Sequence, residues 1–330
     1  MMQNNQGAHT MNPTKVAVIQ AAAIPDNSVA SAHKAAQLIA QATAEGAKVL
    51  VFPEAFLGGY PKGHSFGCPI GMRLPEGRDA YATYYEQAIH LDGEEINIIA
   101  AALTGTDAVV VMGCIEIDLG TLYCTALTFE GDKGLVAKHR KLMPTGGERL
   151  IWGFGDGATM PVIDTSYGRI ASVICWENYM PMLRMYLYSQ GVTIYCAPTA
   201  DDRDTWLASM RHVALEGRCY VLTACQYLKR DAYPADFECA LGDAPDTLLM
   251  RGGSAIIDPL GTVLAGPNYS EEAILYAQLD PSQIIRGKFD FDVSGHYARP
   301  DIFQLHVDTR PKQAVISSHQ TRSAFGVEEP

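Results

Sequence analysis

Apolar positions along the chain fall into short continuous runs that alternate with stretches of helical period. Residues 16–22 and 48–52 are runs rich in Val, Leu and Ile. Between them, residues 26–44 carry Val29, Ala32, Ala36, Ile39 and Thr43 at helical spacing, and Gly46 stops the helix. This pattern predicts a β-α-β opening. Residues 78–103 read as helix, broken in two where Asp92-Gly93-Glu94-Glu95 resembles a capping box. Residues 108–117 and 122–130 read as a strand pair around the turn at 118–121. A strand over 169–175, a helix over 179–190 and a strand over 192–197 follow. An amphipathic helix spans 203–218, with Trp206, Met210, Val213 and Gly217 on one side. Residues 220–226, 254–258, 262–265 and 274–279 supply the late strands.

Runs apolar at consecutive positions belong to sheets covered by helices. Segments 58–76 and 229–253 lack either period and read as long loops of functional or interface type. No repeat, linker or charge block divides the chain. The expected organisation is a flexible segment over 1–14, one α/β domain over 15–308 and a polar, mobile tail over 309–330.

Composition narrows the function classes. Of 330 residues, 48% are hydrophobic, enough for a large core, and the net charge of −12 disfavours nucleic acid or an anionic membrane as partner. No apolar run reaches the roughly 18 residues of a membrane helix, and the polar start lacks a signal-peptide core. The eight cysteines are irregularly spaced, several inside apolar runs, which predicts reduced thiols in a cytoplasm rather than a disulfide framework. No Cys-x-x-Cys, His-Glu-x-x-His or Gly-x-Ser-x-Gly occurs. No metal or cofactor is therefore expected, and the chemistry rests on side chains.

Three segments carry candidate chemistry. Glu54, in Val51-Phe-Pro-Glu54-Ala-Phe, follows a buried-type strand, where a carboxylate is ordinarily a solvated loop residue. Lys141 sits in the basic stretch Lys138-His-Arg-Lys141-Leu, a composition that usually marks surface. Cys175, in Val173-Ile-Cys175-Trp176-Glu177-Asn178, ends a strand just before a helix. That turn lifts a thiol to the carboxyl edge of a sheet, and a helix start with a nearby cation lowers a thiol pKa to roughly 3.5–7.5. Taken singly, Cys175 reads as one more buried thiol.

Together these segments resemble the nitrilase superfamily, the carbon–nitrogen hydrolases, from about residue 15 to residue 305. The family is marked by a Glu–Lys–Cys triad in this chain order, here Phe-Pro-Glu54, His-Arg-Lys141-Leu and Cys175-Trp-Glu. Trp176-Glu177 after the cysteine resembles the branch acting on nitriles, rather than the amidases, which carry Tyr or Phe and then Asp. Pro144-Thr145, Glu148-Arg149, Trp152-Gly153, and Asp292-Val-Ser-Gly-His296-Tyr-Ala-Arg-Pro-Asp301 are similar to the same branch.

The resemblance implies a four-layer α-β-β-α sandwich and hydrolysis of a nitrile to acid and ammonia, without cofactor. An amidase, or release of the amide, is the alternative. In that scheme Glu54 is the general base, Cys175 the nucleophile and Lys141 the cation beside the reacting centre, with Glu148 supporting Lys141. Tyr60, Trp152, Trp176 and Thr199 are the expected substrate contacts, ordinary packing being the competing reading of the aromatic ones. The resemblance also implies a dimer across helices near 181–190 and 203–218, building into larger spirals through the two long loops.

Overall fold

The computed structural model describes residues 12–313 and residue 315. Residues 1–11, 314 and 316–330, which hold most of the expected flexible N-terminal segment and tail, lie outside the described residues. In chain order the first elements are β1 Thr14–Gln20, α1 Ser28–Ala44, β2 Val49–Val51, α2 Pro75–Glu86 and α3 Glu94–Leu103. Next come β3 Val109–Asp118, β4 Thr121–Glu130, β5 Gly134–Arg140, β6 Val162–Thr165, β7 Gly168–Ser172, α4 Pro181–Ser189 and β8 Ile194–Thr199. The chain continues through α5 Asp204–Gly217, β9 Tyr220–Cys225, β10 Tyr227–Lys229, β11 Leu248–Arg251, β12 Ser254–Ile257, β13 Val263–Asn268, β14 Ala273–Leu279 and α6 Ser282–Asp290.

Two six-stranded mixed sheets result, ordered β14-β1-β2-β3-β4-β5 and β13-β12-β9-β8-β7-β6. Period-two alternation assigns each strand's side chains to layers. Val16, Val18, Val49 and Val51 of the first sheet meet Ile170, Ile194, Tyr220 and Leu222 of the second in a central core. The opposite faces bury Ala17, Ile19, Leu50 and Phe52 under α1 and α3, and Tyr195, Ala197 and Val221 under α4 and α5. The architecture is the four-layer α-β-β-α sandwich.

Several local expectations need correction. The break between α2 and α3 is real, but the cap of α3 is Gly93, with no side-chain hydrogen bond. Glu95 turns inward instead and accepts the Ser28 hydroxyl at 2.5 Å, because α3 packs on α1. Strand β5 was hidden by its charges: Lys138 and Arg140 both bind the buried Glu116 of β3, so they lie on a sheet rather than in a solvated loop. The segment expected as one loop over 229–253 holds β11, which pairs with β10 at its start. Where the domain passes into the expected tail, the chain touches the turn at Asp156. The Lys312 amide donates to Asp156 at 2.9 Å, and Gly157 permits the approach, since a Cβ there would lie 2.0 Å from the Asp308 carbonyl oxygen.

Candidate active site

Strand direction brings the candidate residues to one rim. β1, β2 and β3 are parallel, and two antiparallel pairings, β3–β4 and β4–β5, return β5 to the same direction. β7, β8 and β9 are likewise parallel in the second sheet. Glu54 comes three residues after β2, Lys141 immediately after β5, Cys175 three residues after β7, and Thr199 is the last residue of β8. Carboxyl ends of parallel strands are where α/β proteins place reactive groups.

Lys141 is fully buried, and its ammonium donates to Glu54 Oε1 and to Glu148 Oε2, each at 2.7 Å. Glu148 is held in turn by the Tyr60 hydroxyl at 2.7 Å and by the Thr145 amide at 2.6 Å. Trp152 stacks edge-on to Tyr60, with ring centroids 5.8 Å apart, and lies 5.6 Å from the Lys141 ammonium. Glu54 is fully buried as well; its backbone carbonyl accepts the Gln226 side-chain amide at 3.1 Å, and its Oε1 also accepts the Cys124 thiol at 3.4 Å. Its second oxygen, Oε2, has no hydrogen-bond partner, and neither does the buried Trp152 Nε1.

Cys175 opens a short 3-10 turn, Cys175–Tyr179, with φ at +51°. That left-handed conformation is unfavourable for a side chain with a Cβ and persists where the surroundings impose it. Here Glu177 does so. Its carboxylate accepts the amides of Ile174 at 2.9 Å and Leu142 at 2.5 Å, tying the nucleophile turn to the residue after Lys141. Buried His139 donates Nε2–H to the same carboxylate at 2.9 Å, and Asn178 donates to the carbonyls of Val173 and Cys175. Thr199 donates its hydroxyl to Cys175 Sγ at 3.2 Å while its oxygen accepts the Asp201 amide at 2.9 Å.

The electrostatics run against a resting thiolate. Burial, and then the charge of Glu54, push the Cys175 thiol up to about 12, against the opposite pull of Lys141 and the Thr199 hydrogen bond. The lowered pKa expected from a helix start is therefore not what this turn supplies: burial, with the charge of Glu54, outweighs the ammonium. Burial also raises the Glu54 carboxyl, opposed by Lys141. Burial would discharge Lys141, but the carboxylate and thiol groups around it hold its pKa well above the ordinary lysine value. Tyr60 keeps its proton, because burial and Glu148 raise its phenol.

Of the sequence-based candidates, Glu54, Lys141, Glu148, Tyr60 and Trp152 are joined in one contact cluster, and Cys175 and Thr199 are joined in another. The charges of Glu54 and Lys141 act on Cys175 across the two. Trp176 is set apart: its indole is 41% exposed, donates to Asp201 at 2.8 Å and lies under Arg203. Its backbone N–H, at the start of the 3-10 turn, meets no acceptor among the described residues. Cys124, Gln226 and His139 were missed as site residues. Inward alternation on β4 marks Cys124 as core but carries no sign of a carboxylate neighbour.

A cavity of about 750 Å³ opens beside the site, between the loops around 58–77 and 233–238, walled by Phe66, Tyr84, Tyr233 and Phe237. The Gly59–Tyr60 segment borders it: Tyr84 donates to the Gly59 carbonyl at 3.0 Å and Tyr233 to that of Tyr60 at 2.7 Å. Among the described residues, no helix is long and apolar enough to cross a membrane.

The chain is similar to several known proteins. The profile of the family described as Carbon-nitrogen hydrolase matches residues 15–289. A protein named Nitrilase from Bradyrhizobium diazoefficiens is 65% identical, covering 98% of this chain and 99% of its own length. An Aliphatic nitrilase from Sinorhizobium fredii is 55% identical, covering 93% of this chain and 99% of its own. Among solved structures, the NitFhit protein of C. elegans superposes with a TM-score of 0.70 at 20% identity, covering 92% of this chain and 69% of that one.

Proposed function

The chain belongs to the carbon–nitrogen hydrolases, and on that footing we propose that it hydrolyses an organic nitrile to the carboxylic acid and ammonia through Glu54, Lys141 and Cys175. The observation that carries the assignment is Lys141, fully buried between two carboxylates at 2.7 Å, its charge acting on Cys175, the one cysteine of the eight with a positive φ. A buried ammonium held charged serves no packing purpose that an apolar side chain would not serve as well.

The resting thiol dictates how the reaction starts. Glu54, through Oε2, takes the Cys175 proton as Sγ attacks the nitrile carbon, and returns it to the nitrogen to give a thioimidate. No isolated thiolate forms, so the high thiol pKa is not a barrier by itself. Lys141 stays charged and, with the Trp176 amide, stabilises the negative charge developing at the substrate nitrogen and later at oxygen. Glu54 next deprotonates a water that adds to the thioimidate carbon. If the tetrahedral intermediate expels ammonia, a thioester remains and a second water releases the acid. If it expels the thiol, the amide leaves instead. Glu148 keeps Lys141 in place, and Thr199 steadies the sulfur as it gains charge.

Tyr60 and Trp152 form the apolar side of the substrate position, with the free indole N–H of Trp152 as a donor. Together with the name of the Sinorhizobium relative, these rings favour a neutral aliphatic or aryl-aliphatic nitrile. No cofactor enters any step. The domain is read as 15–308. A homo-oligomer, a dimer building into spirals, is favoured by exposed apolar residues such as Met182 on α4, Leu215 on α5 and Ile70 in the long loop. Eight free thiols suit the reducing cytoplasm.

The test is ammonia and acid release from a panel of nitriles beside their amides. Cys175→Ala abolishes turnover, and Glu54→Gln and Lys141→Ala each lose roughly the 10²–10⁴-fold that proton transfer supplies, or more. A tenth of the activity surviving in any of these removes that residue from the mechanism.

A further inference from the structure

The inter-sheet core holds Cys175, which the mechanism uses, and Cys124 and Cys196, which it does not. Cys124, on β4, is 1% exposed and touches both other members of the triad. Its carbonyl oxygen accepts the backbone amide of Lys141 at 2.8 Å, and its Sγ lies 3.4 Å from Glu54 Oε1, the oxygen that also accepts the Lys141 ammonium. Burial, and then the nearby charge of Glu54, hold the Cys124 thiol well above the ordinary value, so it stays protonated. A carboxylate has no proton to give, so the S–H must be the donor.

The two carboxylate oxygens are thus made unequal. Oε1 receives two donors, and Oε2, equally buried, receives none. A carboxylate hydrogen-bonded on one oxygen directs the next proton to the other. A second donor on Oε1 also resists rotation of the group, which would otherwise exchange the two.

We propose that Cys124 is a positioning residue for the general base. Its thiol locks Glu54 so that Oε2 alone receives the nucleophile's proton, and its carbonyl sets Lys141 in register with that arrangement. The proposal rests on the reading of Glu54 as general base. No bond to Cys124 forms or breaks during turnover.

The experiment compares kcat and KM against pH for the full chain, Cys124→Ala and Cys124→Ser on one neutral nitrile, with thermal melts to confirm folding and Glu54→Gln run in parallel. Losing a donor to a carboxylate disfavours its charged form, so the acid limb of kcat/KM moves to higher pH in Cys124→Ala, by roughly half a unit. That limb belongs to the coupled Glu54–Lys141 pair. With KM little changed, kcat falls about tenfold, a fraction of the ~10²–10⁴ contributed by a general base. Cys124→Ser, whose hydroxyl is a stronger donor, restores the limb and most of kcat. If the limb stays put in Cys124→Ala, or the two variants behave alike, the contact is packing only and the proposal is overturned, even with Glu54→Gln inactive. An active Glu54→Gln overturns the base assignment itself.

Discussion

Replacing Lys141 with methionine tests the central electrostatic argument, because it keeps the stem and removes only the charge. Lys141 is the one ammonium between Glu54 and Glu148, at 2.7 Å from each, and both it and Glu54 are fully buried. Removing one partner of a buried ion pair costs about 3–5 kcal/mol, because the remaining charge is left uncompensated. In Lys141→Met two carboxylates confront each other in that position. The folded pKa of Glu54, already raised by burial, then loses the opposing ammonium and rises further above the unfolded value of about 4.3. Between those two pH values the folded variant binds more protons than the unfolded chain, so its stability falls as pH rises through the window. The penalty is larger at high pH and recedes as pH falls toward the unfolded value. The assay is urea unfolding of wild type and variant at about pH 5 and pH 8. At slopes of about 1–3 kcal/mol/M, the midpoint gap at the higher pH is on the order of 1 M or more. Adding Glu148→Gln to the variant recovers part of it. A gap of equal size at both pH values would refute the reasoning, because lost packing does not titrate.

The resting state of the nucleophile gives a second expectation. With the Cys175 thiol pushed up to about 12, its alkylation by iodoacetamide in the free enzyme keeps accelerating with pH beyond 9. A rate that levels off below pH 7 would show a preformed thiolate and contradict the concerted start. The His139–Glu177 pair gives a third. Glu177 raises His139 above its ordinary 6.5 despite burial. The pair's contribution to stability is therefore complete below that value and is lost as pH rises through the folded value. The difference in thermal midpoint between wild type and His139→Gln is expected to be widest near pH 6 and to shrink toward pH 9; a constant difference counts against an ion pair. Finally, because every step is assigned to side chains, dialysis against EDTA leaves kcat unchanged, and inactivation by the chelator would require a metal in the scheme.

Much of this protein was legible one-dimensionally. The β-α-β opening, the strand pair of β3 and β4, and the parallel run through β7, β8 and β9 follow from apolar runs and helical spacing, because backbone periodicity is local. The proposed triad residues could be singled out too, through short motifs whose surroundings are contiguous in sequence. The charges of Lys138 and Arg140 misread β5 as surface, since their partner Glu116 lies two strands away and only sheet formation brings it near.

Which carboxylate partners which ammonium, and where each proton sits, was decided by the tertiary structure alone. A sequence places Cys175 beside a helix start and so suggests an acidic thiol. The fold sets it instead in a dry site where burial, with the charge of Glu54, outweighs Lys141, and its proton is retained. Cys124 became a neighbour of Glu54 only when β4 and the segment after β2 met across 70 residues of chain. Spacing along a polymer fixes what can lie on one face of an element; solvent exclusion and charge balance belong to the surfaces that elements form together, and these control the chemistry of a buried site.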